Sequence, residues 1–215
     1  TSSGGVNTTL NLNNDGTANR ISYGVGYAKV NTVPTVPGAP TIDSATPLDK
    51  SIEIAFTAGT DNGAPATNYE YFIGSGSAVP IGQTTSPYTI TTTDGSTLLV
   101  NGTQYVIKLR AVTASLGPSS DSNGVTVTPV AVPSAPTVDS ITANSNGSVT
   151  VNFTAGAANG SAITNYKYKI DGSWTARDPV SDSSPITISS GLSLGTRHDI
   201  ILLAVNSVGE GAESN

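Results

Sequence analysis

The chain repeats itself, and that constrains its fold more than any single motif. Val36-Pro37-Gly38-Ala39-Pro40-Thr41-Ile42-Asp43-Ser44 returns as Val132-Pro133-Ser134-Ala135-Pro136-Thr137-Val138-Asp139-Ser140, 96 residues later. Ser51-Ile52-Glu53-Ile54-Ala55-Phe56-Thr57-Ala58-Gly59 returns as Ser148-Val149-Thr150-Val151-Asn152-Phe153-Thr154-Ala155-Gly156, and Thr67-Asn68-Tyr69-Glu70-Tyr71 as Thr164-Asn165-Tyr166-Lys167-Tyr168, both at 97. Late in each unit, Gly102-Thr103-Gln104-Tyr105 and Ala111-Val112 match Gly195-Thr196-Arg197-His198 and Ala204-Val205 at 93. Two homologous units of about 95 residues follow, and any fold that serves the first must serve the second.

Inside each unit the apolar period is two. Ile52, Ile54 and Phe56 alternate with Glu53 and Ala55, as Val149, Val151 and Phe153 do with Thr150 and Asn152, so one strand face is buried and the other is wet. The same reading gives strands over 68–73, 88–92, 105–112 and 125–128, with counterparts over 165–170, 185–189 and 198–205. Turn clusters such as Thr60-Asp61-Asn62-Gly63 and Ala158-Asn159-Gly160-Ser161 supply positive φ between them. Composition agrees: 23 Gly, 13 Pro and 30 Thr favour turns and strands, and the strong helix formers are sparse. The expectation is an all-β chain of two sandwiches, cored by Ile54, Phe56, Tyr69, Tyr71, Tyr105 and Leu109 in one and Val151, Phe153, Tyr166, Tyr168 and Leu202 in the other.

Taken together, the opening Pro-x-Ala-Pro, the strand ending Phe-Thr-Ala-Gly, the Asn-Gly loop leading into Asn-Tyr-x-Tyr, the Gly-Thr-x-Tyr corner and the closing Ala-Val-Asn-Ser-Val-Gly-Glu-Gly resemble fibronectin type III modules. The likeness is to the variety common in bacterial and viral surface proteins, and it covers residues 36–215. It implies immunoglobulin-like sandwiches of three and four strands, at 36–129 and 130–215, used as spacer, adhesive or docking units without catalysis. It also makes Tyr105 the corner tyrosine, whose hydroxyl ties its strand to the preceding loop. His198 replaces that tyrosine in the second unit.

The joint, residues 128–136, carries three prolines, which favour extended backbone and restrict hinge motion. A semi-rigid rod of roughly 60 to 70 Å is expected from strands of eight to ten residues. Residues 1–35 belong to neither repeat. Leu10, Leu12, the Asn13-Asn14-Asp15-Gly16 turn and the alternation Ile21, Tyr23, Val25, Tyr27 read as a hairpin, too short to bury a core alone. With no Met at the start, the piece is expected to derive from a longer product. At the far end the second unit stops before its last strand, leaving an edge at His198, Ile200 and Leu202. Either the sequence given ends there, or the 20–30 stretch of a neighbouring copy, through Ile21, Tyr23, Val25 and Tyr27, completes the sandwich as a donor strand and the molecules form a filament.

Charge sets function classes aside. A net charge of −6 with nine basic residues leaves no basic stripe for nucleic acid, and no apolar run approaches the ~20 residues that span a bilayer as a helix. Without Cys and with one His, thiolate and multi-imidazole metal sites are excluded, and no cofactor is expected. Asn11-x-Asn13-x-Asp15-Gly16 imitates half a calcium loop, but Ser22 stands where the closing Glu belongs. His198 and Asp199 are neighbours on a strand and point to opposite faces, so a catalytic pair is not expected, nor is an enzyme. Trp174 has two readings, a lid over the core or a solvent-facing platform for a sugar ring. Asn62 and Asn159, at matching loop positions, are turn formers or glycan contacts. Asn7, Asn101, Asn146, Asn152 and Asn159 begin Asn-x-Ser/Thr acceptor sequences. The expected role is structural, as an extracellular, cell-surface or virion-exterior spacer mediating assembly or adhesion with other subunits. The rivals are a carbohydrate-binding accessory region of a secreted hydrolase and the strand-donating filament.

Overall fold

Over the described residues, strands lie largely where the sequence alternates. A computed structural model describes residues 33–215, and none of these is helical. The first module holds β1 (Thr41–Leu48), β2 (Ser51–Thr57), β3 (Asn68–Ile73), β4 (Val79–Pro80), β5 (Tyr88–Ile90), β6 (Tyr105–Thr113), β7 (Gly117–Pro118) and β8 (Val125–Val127). The second holds β9 (Thr137–Ala143), β10 (Val149–Thr154), β11 (Asn165–Ile170), β12 (Trp174–Ala176), β13 (Ile186–Ile188) and β14 (Ile200–Val205). The hairpin expected at the N-terminus, with Ile21, Tyr23, Val25 and Tyr27, lies outside the described residues.

All pairings are antiparallel. In the first module a β1-β2-β5 sheet faces one ordered β4-β3-β6, with β7 and β8 both along the free side of β6. In the second, β9-β10-β13 faces β12-β11-β14. Each pair of sheets closes on its own core. Ile52, Ile54, Phe56, Tyr69, Tyr71, Ile107 and Leu109 are buried together in one, and Val151, Phe153, Tyr166, Ile186, Ile188 and Leu202 in the other. Tyr168, expected at the centre, is half-buried at the core's margin. The same aromatic pair bridges the sheets in both modules, Phe56 to Tyr69 at 4.8 Å between ring centres and Phe153 to Tyr166 at 4.4 Å, each tilted, a geometry that suits ring quadrupoles.

The recurring Phe-Thr-Ala-Gly ends on glycine because the chain crosses itself there. A Cβ on Gly59 would lie 2.2 Å from the Gly38 carbonyl oxygen, and one on Gly156 2.3 Å from that of Ser134. The opening segment of each module is thereby laid against the end of its second strand, held by Gly38 N–H to Thr60 O and Ser134 N–H to Ala157 O. Just beyond, the register slips at Asp43 and at Asp139. At each slip the carboxylate accepts a hydroxyl, from Thr57 at 2.8 Å and Thr154 at 2.9 Å.

The edge expected to be open at the end of the second module is only partly so. In the first module, Ser119 N–H donates to Ala111 O and Ser122 N–H to Leu109 O. Their hydroxyls accept the N–H groups of Ala111 and Leu109 in return. Ser214 does the same for both backbone groups of Leu202, and Gly211 N–H reaches Ala204 O. Asn215, like Asn123, then ties back to the module's first strand. Leu202 is therefore already paired, because residues 209–215 follow β14 as residues 117–123 follow β6. His198 and Ile200 match Tyr105 and Ile107, the positions that β8 pairs in the first module.

Candidate functional site

Asn62, Asn101, Asn159 and His198 fall at loop corners, and the fold uses each of them. Asn62 and Asn159 both take a left-handed φ, 49° and 54°, a conformation that Asn tolerates. Both side-chain amides donate to the opening segment of their own module, Asn62 to Val36 O at 3.0 Å and Asn159 to Val132 O at 2.8 Å. They are clasps between the corner loop and the opening segment. Asn101 is spent likewise: its Oδ1 accepts Lys50 N–H, and its Nδ2 donates to Asp49.

His198 belongs to a corner. Its Nε2 accepts Ser193 N–H at 2.9 Å, and its Nδ1 lies 2.5 Å from Asp171 Oδ2. Asp171 Oδ1 also accepts Asp199 N–H at 3.0 Å. The neighbouring Asp199 carboxylate points elsewhere, toward Arg197 at 3.6 Å. The tautomer follows from the partners: an atom that accepts an N–H carries no proton, so the proton lies on Nδ1, facing the carboxylate. The Asp199 N–H, and after it the imidazole, hold the Asp171 carboxyl below its ordinary range. Sequence reasoning missed Asp171, whose only signal was a turn-like Asp-Gly.

Trp174 lies on an edge strand of its sheet. It is not part of the second core; it stands half-buried on β12, opposite Lys169 of β11. The Lys169 ammonium lies 4.8 Å from the centre of the indole ring, a cation–π contact, and is fixed by Glu213 at 3.0 Å. Lys167 and Glu210 form a second bridge at 2.6 Å. One charged neighbour thus orders the indole on the outward side of the sheet.

Two shallow clefts of about 460 and 450 Å³ open at matching places, between the sheet edges of each module. Tyr71, Val79, Tyr88 and Asp94 line the first, and Tyr168, Ala176, Arg177 and Ile186 the second. Several of their polar groups are engaged within the fold. Tyr71 Oη bonds Thr92. Asp94 accepts the N–H and hydroxyl of both Ser96 and Thr97, with Thr97 N–H foremost in holding its carboxyl well below the usual range. The Arg177 guanidinium gathers the carbonyls of Ser181, Ser183 and Pro185, as Gln83 gathers those of Thr85 and Pro87. Neither residue was legible as a loop holder, since one is cationic, the other neutral, and they come from different places in the repeat.

Among the described residues, no group of three or more His, Asp or Glu side chains gathers to hold a metal, and no helix is long and apolar enough to cross a membrane. The calcium-like loop at Asn11, Asn13 and Asp15 lies outside those residues. No family model and no curated protein matches the chain.

Proposed function

We propose that this chain is a non-catalytic structural protein, a pair of fibronectin type III-like modules acting as a spacer in an extracellular surface assembly or on a virion exterior. Its partners are other protein subunits, copies of itself among them. One observation carries the reading: the polar positions repeated between modules are spent on the fold itself. Asn62 and Asn159 hold loops, Asp43 and Asp139 hold register slips, and Ser86 and Ser184 each accept the N–H of the core phenylalanine, Phe56 and Phe153. Repetition of scaffold contacts at matching positions suits a unit selected for shape. The chain's third of Thr, Ser and Asn and its 11% of charged residues give it a hydrated, weakly charged coat. Labelling intact producing cells or particles with an antibody to the chain tests the reading. Surface signal before permeabilisation is expected; signal only after lysis refutes an exterior role.

A second reading, carbohydrate binding, draws on Trp174, because the half-buried indole lies on the outward side of the sheet and is ordered by Lys169. A glycan array probed with the wild-type chain and Trp174→Ala decides it: binding lost in the variant supports a sugar platform, and no binding by either removes it.

A further inference from the structure

The linker makes more contacts than a tether needs. Pro129 is buried, with Val130 and Ala131 half-buried, whereas Val33, Pro34 and Thr35, at the matching positions before the first module, are exposed. Asn206, only 5% exposed, faces the joint. Its amide nitrogen shares two protons among Ala131 O at 2.8 Å and Ala158 O and Ser161 O at 3.2 Å each. Its Oδ1 accepts the N–H groups of Val208 and Gly209. Ala131 N–H in turn donates to Asn159 O at 2.9 Å. Three segments, the linker, the 158–161 corner and the 206–209 turn, are joined at one side chain. Thr113, which holds this place in the first module, bonds only within its own turn, to Leu116 N–H and Gly117 O.

The first module reaches the same point from the other side. Gly102 N–H donates to Pro129 O at 2.9 Å, and the backbone of Gly102 lies against that of Gly160. A Cβ on Gly160 would stand 2.6 Å from Gly102 N and 2.7 Å from Pro129 O. Contact of this closeness needs two glycines facing each other. The matching glycines at the outer ends meet nothing comparable: Gly195 has open space, and Gly63 only Pro34 at 3.7 Å.

We propose that the two sandwiches move as one rigid body, the Gly102 loop of the first module seated on the Asn159–Gly160 corner of the second and Asn206 clasping the linker between them. Proline fixes φ at Pro129 and Pro133, and the bonds to Ala131 and Pro129 hold the torsions that proline leaves free. The proposal is independent of the spacer reading, since a glycan-binding region would be held in the same way.

Residual dipolar couplings of backbone N–H groups, measured on the full chain in a weakly aligning medium, test it. A single alignment tensor is expected to fit both modules. Asn206→Ala and Gly160→Ala are expected to split it, giving two tensors of different magnitude. Gly63→Ala is the matched control: it has nearly the same φ, +80° against +86°, without the close neighbour, and should keep one tensor. Wild-type couplings that need two tensors overturn the proposal, and so does a single tensor that survives both joint substitutions. Should Asn206→Ala unravel the 206–209 turn, two glycines inserted after Val130 leave each sandwich whole; two tensors are expected there, and one would equally overturn the proposal.

Discussion

His198 stands in the second module where Tyr105 stands in the first, and each accepts the backbone N–H of the residue five positions before it, Ser193 at 2.9 Å and Val100 at 3.0 Å. An imidazole nitrogen and a phenol oxygen thus close the same corner. The histidine needs a second partner, Asp171, to fix its tautomer; the phenol rotates its proton freely. Tyr105→Phe is expected to cost about 1 kcal/mol and His198→Ala about 1 to 3 kcal/mol, since the latter also strands the carboxylate's partner position. Urea melts followed by module-specific NMR signals read both, and an unchanged midpoint in His198→Ala refutes the corner's role.

Acid should unsettle each module through a different aspartate. Asp171 in the second and Asp94 in the first are both held below the ordinary carboxylate range by bonds made only in the fold. A depressed folded-state value means that the stabilisation is complete above the unfolded value of about 3.9 and is lost as pH falls through the folded one. Loss therefore begins near pH 4 on acidification. Asp94→Asn and Asp171→Asn should each flatten the acid limb of the stability curve for their own module, read as chemical-denaturation midpoints from pH 6 down to about 2.

The Tyr166 hydroxyl is buried with no hydrogen-bond partner among the described residues, an arrangement that costs about 1 to 3 kcal/mol. Tyr166→Phe keeps the ring packed at a tilt against Phe153 and removes the orphan. The variant should melt at the same temperature as wild type or a few degrees higher. A lower melting temperature would show that the hydroxyl is satisfied.

Gly156→Ala drives a methyl into the Ser134 carbonyl, 2.3 Å away, whereas Gly172→Ala meets only Ile170 O at 3.8 Å. The first should cost about 1 to 3 kcal/mol and the second well under that, with calorimetry of the two variants side by side as the check. Equal losses would mean that the opening segment moves aside freely.

The architecture was readable because burial and alternation coincide. Strands at 68–73 and 165–170 fall where period two placed them, and the expected cores are buried apart from Tyr168. β1 and β9 were not foreseen: their exposed, interrupted runs show little alternation, and pairing to β2 and β10 makes them strands. The strand expected from residue 198 begins at Ile200, where its pairing with β11 begins; in the first module it is β8 that pairs Tyr105 and Val106. Trp174 was ambiguous since an indole reads alike as lid or platform until its cross-strand neighbour, Lys169, is known. Asn206 and Gly102 read only as members of module motifs, the closing Ala-Val-Asn-Ser and the Gly-Thr-x-Tyr corner. What makes them matter is a contact between units, and a repeat comparison registers only what the units share.

The serines beside β6 have a further effect. Because the amides of Leu109 and Ala111 are already matched by Ser122 and Ser119, an intruding polypeptide would have to evict both hydroxyls before it gained a single bond, so fibril growth is discouraged along that margin. The opposite margin is guarded unequally, by Pro80 in β4 but by no proline within β12, so the three residues Trp174–Ala176 lack that safeguard against strand addition.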